Sequence, residues 1–379
     1  MKFLIEPYIR KRTEDLSFVQ LSSEAIQVKD YVVPEEGLFV PLLTTELANN
    51  IKTKEEDKVI TANGIVRGMV YLLGVDSDFK YRDEYIKFLY AVNSDIEDYI
   101  NFEAIKFADE GKMIESIIFL KALLLLNDKN IYYIFNYGLT LLKYSSEHLN
   151  NKSKVQSVFK KESILCFETI LDIDENFSLA YYHLGFLYSD NKQFNKAKLY
   201  WERYLKLDTN VDLSNEVNQM LLEIEDQAKY ERGYEAVLSG RPQEGLILLL
   251  ELEERYSNWW NLLFFIGLAY RQLLKYEDAI GYFDKVLQLE ENQLDTIVEL
   301  GLCYGSIGYH SQSIECFERA LHIGGQNSEI LCNLAMVHME IGDLVKAKEY
   351  LDTSLALNNE DEITKACSEQ LNALLKNNR

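Results

Sequence analysis

Proline is nearly absent. There are four in 379 residues, and three of them, Pro7, Pro34 and Pro41, fall in the first 41 positions. Only Pro242 lies beyond, so almost nothing breaks a helix through the rest of the chain. Basic residues are outnumbered: 39 Lys and Arg stand against 61 Asp and Glu, for a net charge of −22. A surface that acidic repels phosphate backbones and anionic lipid, which argues against nucleic-acid and membrane partners. No apolar run reaches the ~20 residues of a spanning helix. The richest runs are IIFLKALLLL at 117–126, with Lys121 inside it, and WWNLLFFIGLAY at 259–270; both read as core helices. Cysteines number five, an odd count without CxxC spacing, which excludes a disulfide framework and a zinc site in favour of reduced packing residues. The opening MKFLIEPYIRKR is broken by Glu6 and Pro7 and lacks a signal-peptide pattern, so the cytoplasm is the expected compartment.

Catalytic motifs are missing as well. The chain has no Walker A loop, HExxH or GxSxG. SDN at 189–191 lacks the SxxK partner that would give it meaning. His148, His183, His310, His322 and His338 show no metal-ligand pairing. No catalytic residue, metal or cofactor is expected.

What the chain does have is a period. YEDAIGYFDKVLQLEEN at 276–292 returns, altered, 34 residues later as HSQSIECFERALHIGGQ. A small-residue column runs Gly233, Gly267, Gly301, Ala335. Twelve residues after each comes another small residue: Gly245, Ala279, Ser313, Ala347. Four further on stands a bulky one: Leu249, Phe283, Phe317, Leu351. In GLCYGSIG at 301–308, Gly301 and Gly308 occupy repeat columns, which argues against a phosphate loop. Within a unit the apolar spacing is helical, so each unit is two helices joined by a turn. Toward the N-terminus the columns continue through Gly185, Ala197 and Trp201, then Gly138, Ser163 and Phe167, then Ala104, Ser116 and Leu120. Seven units result, spanning 96–361.

These columns resemble the tetratricopeptide repeat (TPR) family, whose tyrosine three residues after the first small column appears here as Tyr188, Tyr270 and Tyr304. The resemblance covers about 70% of the chain and implies a mainly α fold: an α-solenoid of helix pairs forming a right-handed superhelix. The proline that the family often carries between units is replaced here by Asn, Asp, Gly, Ser and similar residues, so turn chemistry must stop the helices. Extra residues occur near 144–161 and 212–225. The first insertion reads as lengthened helices with a polar loop, the second as an extended first helix of the fourth unit. Residues 362–379 read as a terminal capping helix.

Residues 1–95 lack the repeat. KFLIEPYI, FVQL, AIQVKDYVV and LFVPLL read as β-rich, with a hairpin through YVV-PEEG-LFV at 31–40. Helical patterns follow at 54–75 and 78–91. A small α+β N-terminal domain is expected, able to cap the stack, pair strands with another chain, or dimerise.

Positions three before and one after the first small residue share a helix face. They hold Phe135 and Leu139, Tyr182 and Phe186, Tyr230 and Tyr234, Phe264 and Leu268, Val298 and Leu302, and Cys332 and Met336. Of these, Phe135, Tyr182, Phe186, Tyr230, Tyr234, Phe264 and Leu268 are the candidate contact residues. Family members that grip a peptide carboxylate carry Lys, Arg and Asn at such positions, which this chain lacks. An apolar face on an acidic protein suits a protein or peptide partner, either an amphipathic helix or an extended segment with basic flanks. The competing reading is that neighbouring units bury these rings. The function expected is a non-catalytic scaffold or adaptor. The alternatives are a peptide-sensing regulator that changes shape on binding and, behind it, an enzyme with its site in residues 1–95.

Overall fold

The computed structural model describes residues 3–21, 31–52, 61–149 and 153–377. The chain divides into two compact units, the first formed by residues 1–192 and 196–219, the second by 193–195 and 220–379.

The first unit opens with a short helix α1 (Glu6–Ile9), a 3-10 turn (Arg10–Asp15) and strand β1 (Leu16–Leu21), followed by β2 (Leu38–Leu43), α2 (Thr44–Lys52), α3 (Ala62–Val75) and α4 (Arg82–Val92). The KFLIEPYI stretch, expected to be extended, is therefore partly helical. Pro7 is the reason: it sits at the start of α1, where its missing N–H costs nothing and its fixed φ favours the turn. The expected hairpin at 31–40 does not form as drawn. β2 pairs antiparallel with β1, in the register Leu16↔Leu43 to Leu21↔Leu38. Residues 25–30 and 54–60 lie outside the described part.

Helix α3 ties this layer to the repeats. Nearly every residue from Ile65 to Val75 is buried, because β2 covers one side and α6 (Met113–Leu126) another. Both contacts need glycine. A Cβ on Gly68 would lie 1.9 Å from the Pro41 carbonyl oxygen, and one on Gly74 would lie 2.0 Å from that of Ile118.

Three helix pairs follow in this unit: α5 (Ile96–Asp109) with α6, α7 (Ile131–His148) with α8 (Ser153–Ile173), and α9 (Ser178–Asp190) with α10 (Phe194–Leu207). α7 and α8 are the lengthened pair, at 18 and 21 residues. α11 (Val211–Leu238) runs 28 residues, the first nine of which belong to this unit.

The second unit pairs α11 with α12 (Pro242–Glu253), α13 (Trp260–Gln272) with α14 (Tyr276–Leu289), α15 (Leu294–Ser306) with α16 (His310–Gly324), and α17 (Ser328–Glu340) with α18 (Leu344–Leu357). α19 (Glu362–Asn377) closes on α17 and α18, burying Cys367 and Leu371 against Cys332, Ala335 and Leu351.

Small and bulky columns meet as the sequence arithmetic requires. Trp201, wholly buried, lies over Gly185, where an added Cβ would come within 2.2 Å of its indole. Phe317 covers Gly301 in the same manner. Burying one such ring stabilises the pair by roughly 1.5–3 kcal/mol, and only a residue without a side chain lets it seat. The turn inside a pair reuses one backbone conformation. Gly240, Leu274, Gly308 and Gly342, 34 apart, all have positive φ, as do Gly111 and Lys192. In each, except the turn at Lys192, the next N–H reaches back five residues, as Tyr309 does to the Tyr304 carbonyl at 2.8 Å. Between pairs, where proline is missing, side chains cap the next helix. Asn130 accepts from Tyr132 and Tyr133, Asn210 from Leu213, Gln293 from Thr296, and Asn327 from Ile330.

Candidate functional site

The first helices of the pairs carry the aromatic positions, and each unit holds its own set. In the first unit, Phe135 on α7 is half-buried, with its ring 5.7 Å from Phe167, 5.1 Å from Phe177 and 5.7 Å from His183. His183 stacks on Phe167 and stands edge-on to Tyr182. Burial among these rings pushes the His183 imidazolium down to about 4, so the ring is neutral at pH 7. Tyr182 and Phe186 lie 4.9 Å apart on α9, with Phe186 against Trp201 and Tyr182 against Tyr204. The Tyr182 hydroxyl donates to Glu216 at 2.7 Å, and burial together with that carboxylate raises its pKa well above the usual range. The result is a continuous half-buried aromatic ladder with one carboxylate at its edge.

In the second unit, Tyr230 and Tyr234 on α11 form a similar ladder. Tyr230 packs 4.3 Å from Trp259, and Tyr234 stacks on Phe265 at 5.3 Å. Phe264 stands between Phe265 and Phe283. Leu268 differs from the rest: it is only 7% exposed and belongs to the core with Val237, Leu262 and Ile266. The packing of α12 and α13 encloses it, so it offers almost no surface to a ligand. The seven positions thus fall into two groups, Phe135, Tyr182 and Phe186 in one unit and Tyr230, Tyr234, Phe264 and Leu268 in the other.

The two-position rule missed several neighbours. Phe265 and His183 occupy the column two before the small residue, and following that column would have found them. Trp259 lies just ahead of α13, outside any column. The same minus-two column also holds Glu299, which pairs with Arg271 of α13. Burial pushes the Glu299 carboxyl up, and Arg271 opposes that shift.

Further along the same face, between α15 and α17, lies a cavity of about 140 Å³. Gly301, Leu302, Gly305, Phe317, Met336 and Val337 form its apolar wall, and Ser306, Ser313, Asn333 and Glu340 its polar one. Among the described residues no group of three His, Cys, Asp or Glu side chains is placed to hold a metal ion. No helix there is long and apolar enough to cross a membrane.

The family profiles agree with the paired repeats. Profiles described as tetratricopeptide repeat match residues 179–211, 262–297, 294–323 and 328–361. The mitochondrial protein MSS2 of Saccharomyces cerevisiae is 31% identical over 129 residues, which is 34% of this chain and 35% of that protein. The photosystem I assembly protein Ycf3 of Prochlorococcus marinus is 29% identical over 89 residues, which is 23% of this chain and 51% of that protein. The matched part thus spans between a third and a half of these relatives. Among solved structures, YrrB, described as a TPR protein with an unusual peptide-binding site, aligns with 66% of this chain and 97% of its own at 14% identity and a TM-score of 0.28.

Proposed function

We propose that this chain, which belongs to the tetratricopeptide-repeat family, is a non-catalytic scaffold that holds a peptide segment of another protein on its first-helix faces. The segment is an amphipathic helix or an extended stretch with basic flanks. The observation that carries this reading is the pair of half-buried aromatic ladders, Phe135–Tyr182–Phe186 and Tyr230–Tyr234–Phe264, on a protein of net charge −22. Half-buried rings are rigid and already partly desolvated, so a partner can cover them at small entropic cost, and such residues dominate interface energetics. Acidic surroundings would draw a basic segment and orient it. The assembly role in the printed name of Ycf3 is consistent with a scaffold.

The test is a selection of displayed 12-residue peptides on the full chain, followed by fluorescence anisotropy on the enriched sequences. Tyr182→Ala/Phe186→Ala and Tyr230→Ala/Tyr234→Ala each remove one ladder and serve as controls for each other. One pair is expected to weaken binding at least tenfold, about 1.4 kcal/mol, while the other leaves it near wild type. If no basic-flanked peptide is enriched, or both pairs bind as wild type does, the reading fails.

A further inference from the structure

The cavity between α15 and α17 has a glycine in its wall where most repeats carry a side chain. In the column four after the first small residue, the repeats carry Ala108, Leu142, Ser189, Val237, Arg271 and Met339, but α15 carries Gly305. Gly305 lies inside a helix with ordinary φ and faces Ser313 and Val337 across the gap. No turn demands a glycine there. A Cβ would approach the Ser313 hydroxyl at 3.2 Å and Val337 at 3.8 Å; that hydroxyl is buried and donates to the Gly301 carbonyl at 2.7 Å, so it would have to give by a few tenths of an ångström.

We infer that this cavity is a specificity pocket for one aliphatic side chain of a bound peptide, with a basic residue of the same peptide paired to Glu340 at its mouth. The inference rests on the scaffold reading and narrows it to a sequence class. Size is the first argument. At about 140 Å³ the space matches an apolar void known to accept a benzene-sized group, so a leucine or isoleucine side chain fits where a ring system as large as tryptophan does not. Chemistry is the second: Leu302, Phe317, Met336 and Val337 supply the apolar wall, and Met336 is 43% exposed and free to close over a guest. Charge is the third. The ten lining residues include one carboxylate, Glu340, and no cation. Glu340 is exposed, and its partner is the His310 ring nitrogen 3.4 Å away, a group that a lysine or arginine of the guest can displace.

The experiment is a methyl NMR titration of the full chain labelled at its methionine methyl groups. The probe is N-acetyl-Leu-Lys-amide, compared with N-acetyl-Leu-Glu-amide and N-acetyl-Ala-Lys-amide. The Met336 signal should move with the Leu-Lys probe while Met69 and Met113, buried in the other unit, stay still. Binding of the Leu-Glu probe should be about two- to fivefold weaker, the range for one exposed charge pair, and binding of the Ala-Lys probe at least tenfold weaker. Gly305→Ala should abolish the Met336 response. The gain in helix propensity from alanine opposes the tight contact with Ser313, and an unchanged melting temperature for the variant separates loss of the pocket from unfolding. A Met336 signal unmoved at saturating probe, or moved equally in Gly305→Ala, overturns the pocket. If displayed peptides still bind through an aromatic ladder in that case, the scaffold reading stands without it. If no peptide binds anywhere, both fall.

Discussion

Leu274 holds a backbone conformation that a residue with a Cβ adopts reluctantly. Its φ is +59°, in a turn where the equivalent positions 34 residues before and after are Gly240 and Gly308. The side chain is 69% exposed, so nothing in the core compensates for the strain. The left-handed conformation costs an L-residue roughly 1–2 kcal/mol, part of which glycine gives back through its greater freedom when unfolded. Leu274→Gly should therefore stabilise the chain by about 1 kcal/mol, read as a higher urea midpoint with an unchanged slope. Leu274→Ala should do almost nothing, because the alanine keeps the strained φ. A lower midpoint for the glycine variant would show that the leucine makes a contact worth more than the turn geometry.

At the scale of elements, a buried ion pair joins the N-terminal layer to the first helix pairs. Lys121 on α6 is wholly buried; its Nζ donates to Glu6 of α1 at 2.6 Å and to the Gly74 carbonyl of α3 at 2.9 Å. Burial draws the Lys121 amine down, and Glu6 opposes it. Burial also works to raise the Glu6 carboxyl, but Lys121 and the Ser77 hydroxyl outweigh it and hold the group below its ordinary value. Breaking one side of such a pair leaves the other charge poorly solvated, so Lys121→Met should destabilise by roughly 3–5 kcal/mol. Adding Glu6→Gln should recover part of that loss, and a denaturation cycle should give a coupling of at least about 1 kcal/mol. Additive losses would mean that the pair merely fills space. The sequence marked Lys121 as out of place in an apolar run but could not point to a partner 115 residues away. The helix pairs were legible because a 34-residue period repeats its own evidence. The α1 turn was not, since KFLIEPYI has strand-like composition and only a single proline argues otherwise. Among the ring positions, the face was readable from spacing, whereas exposure depended on neighbours: Phe135 remains half-open while Leu268, chosen by the same rule, is enclosed.

Over the whole molecule the excess of acid acts on association more than on folding. Basic-flanked peptides should bind several-fold more weakly as salt rises from about 50 mM to about 500 mM, chiefly through a slower on-rate, because the Debye length contracts from well above to well below ~10 Å. Peptides with neutral flanks should be indifferent, and stopped-flow fluorescence separates the two; equal salt dependence would remove charge from the recognition. One contact also bears on how the chain is made. The backbone N–H of Ile5 donates to Glu162 at 2.7 Å, and that carboxylate is also held by the Tyr137 hydroxyl and itself buried. Ribosomes add about 5–20 residues per second, so the 157 residues separating the two take roughly 8–30 s to emerge. For that interval the nascent α1 has no seat, and its apolar Ile5 and Ile9 stay available to any chaperone waiting at the tunnel exit.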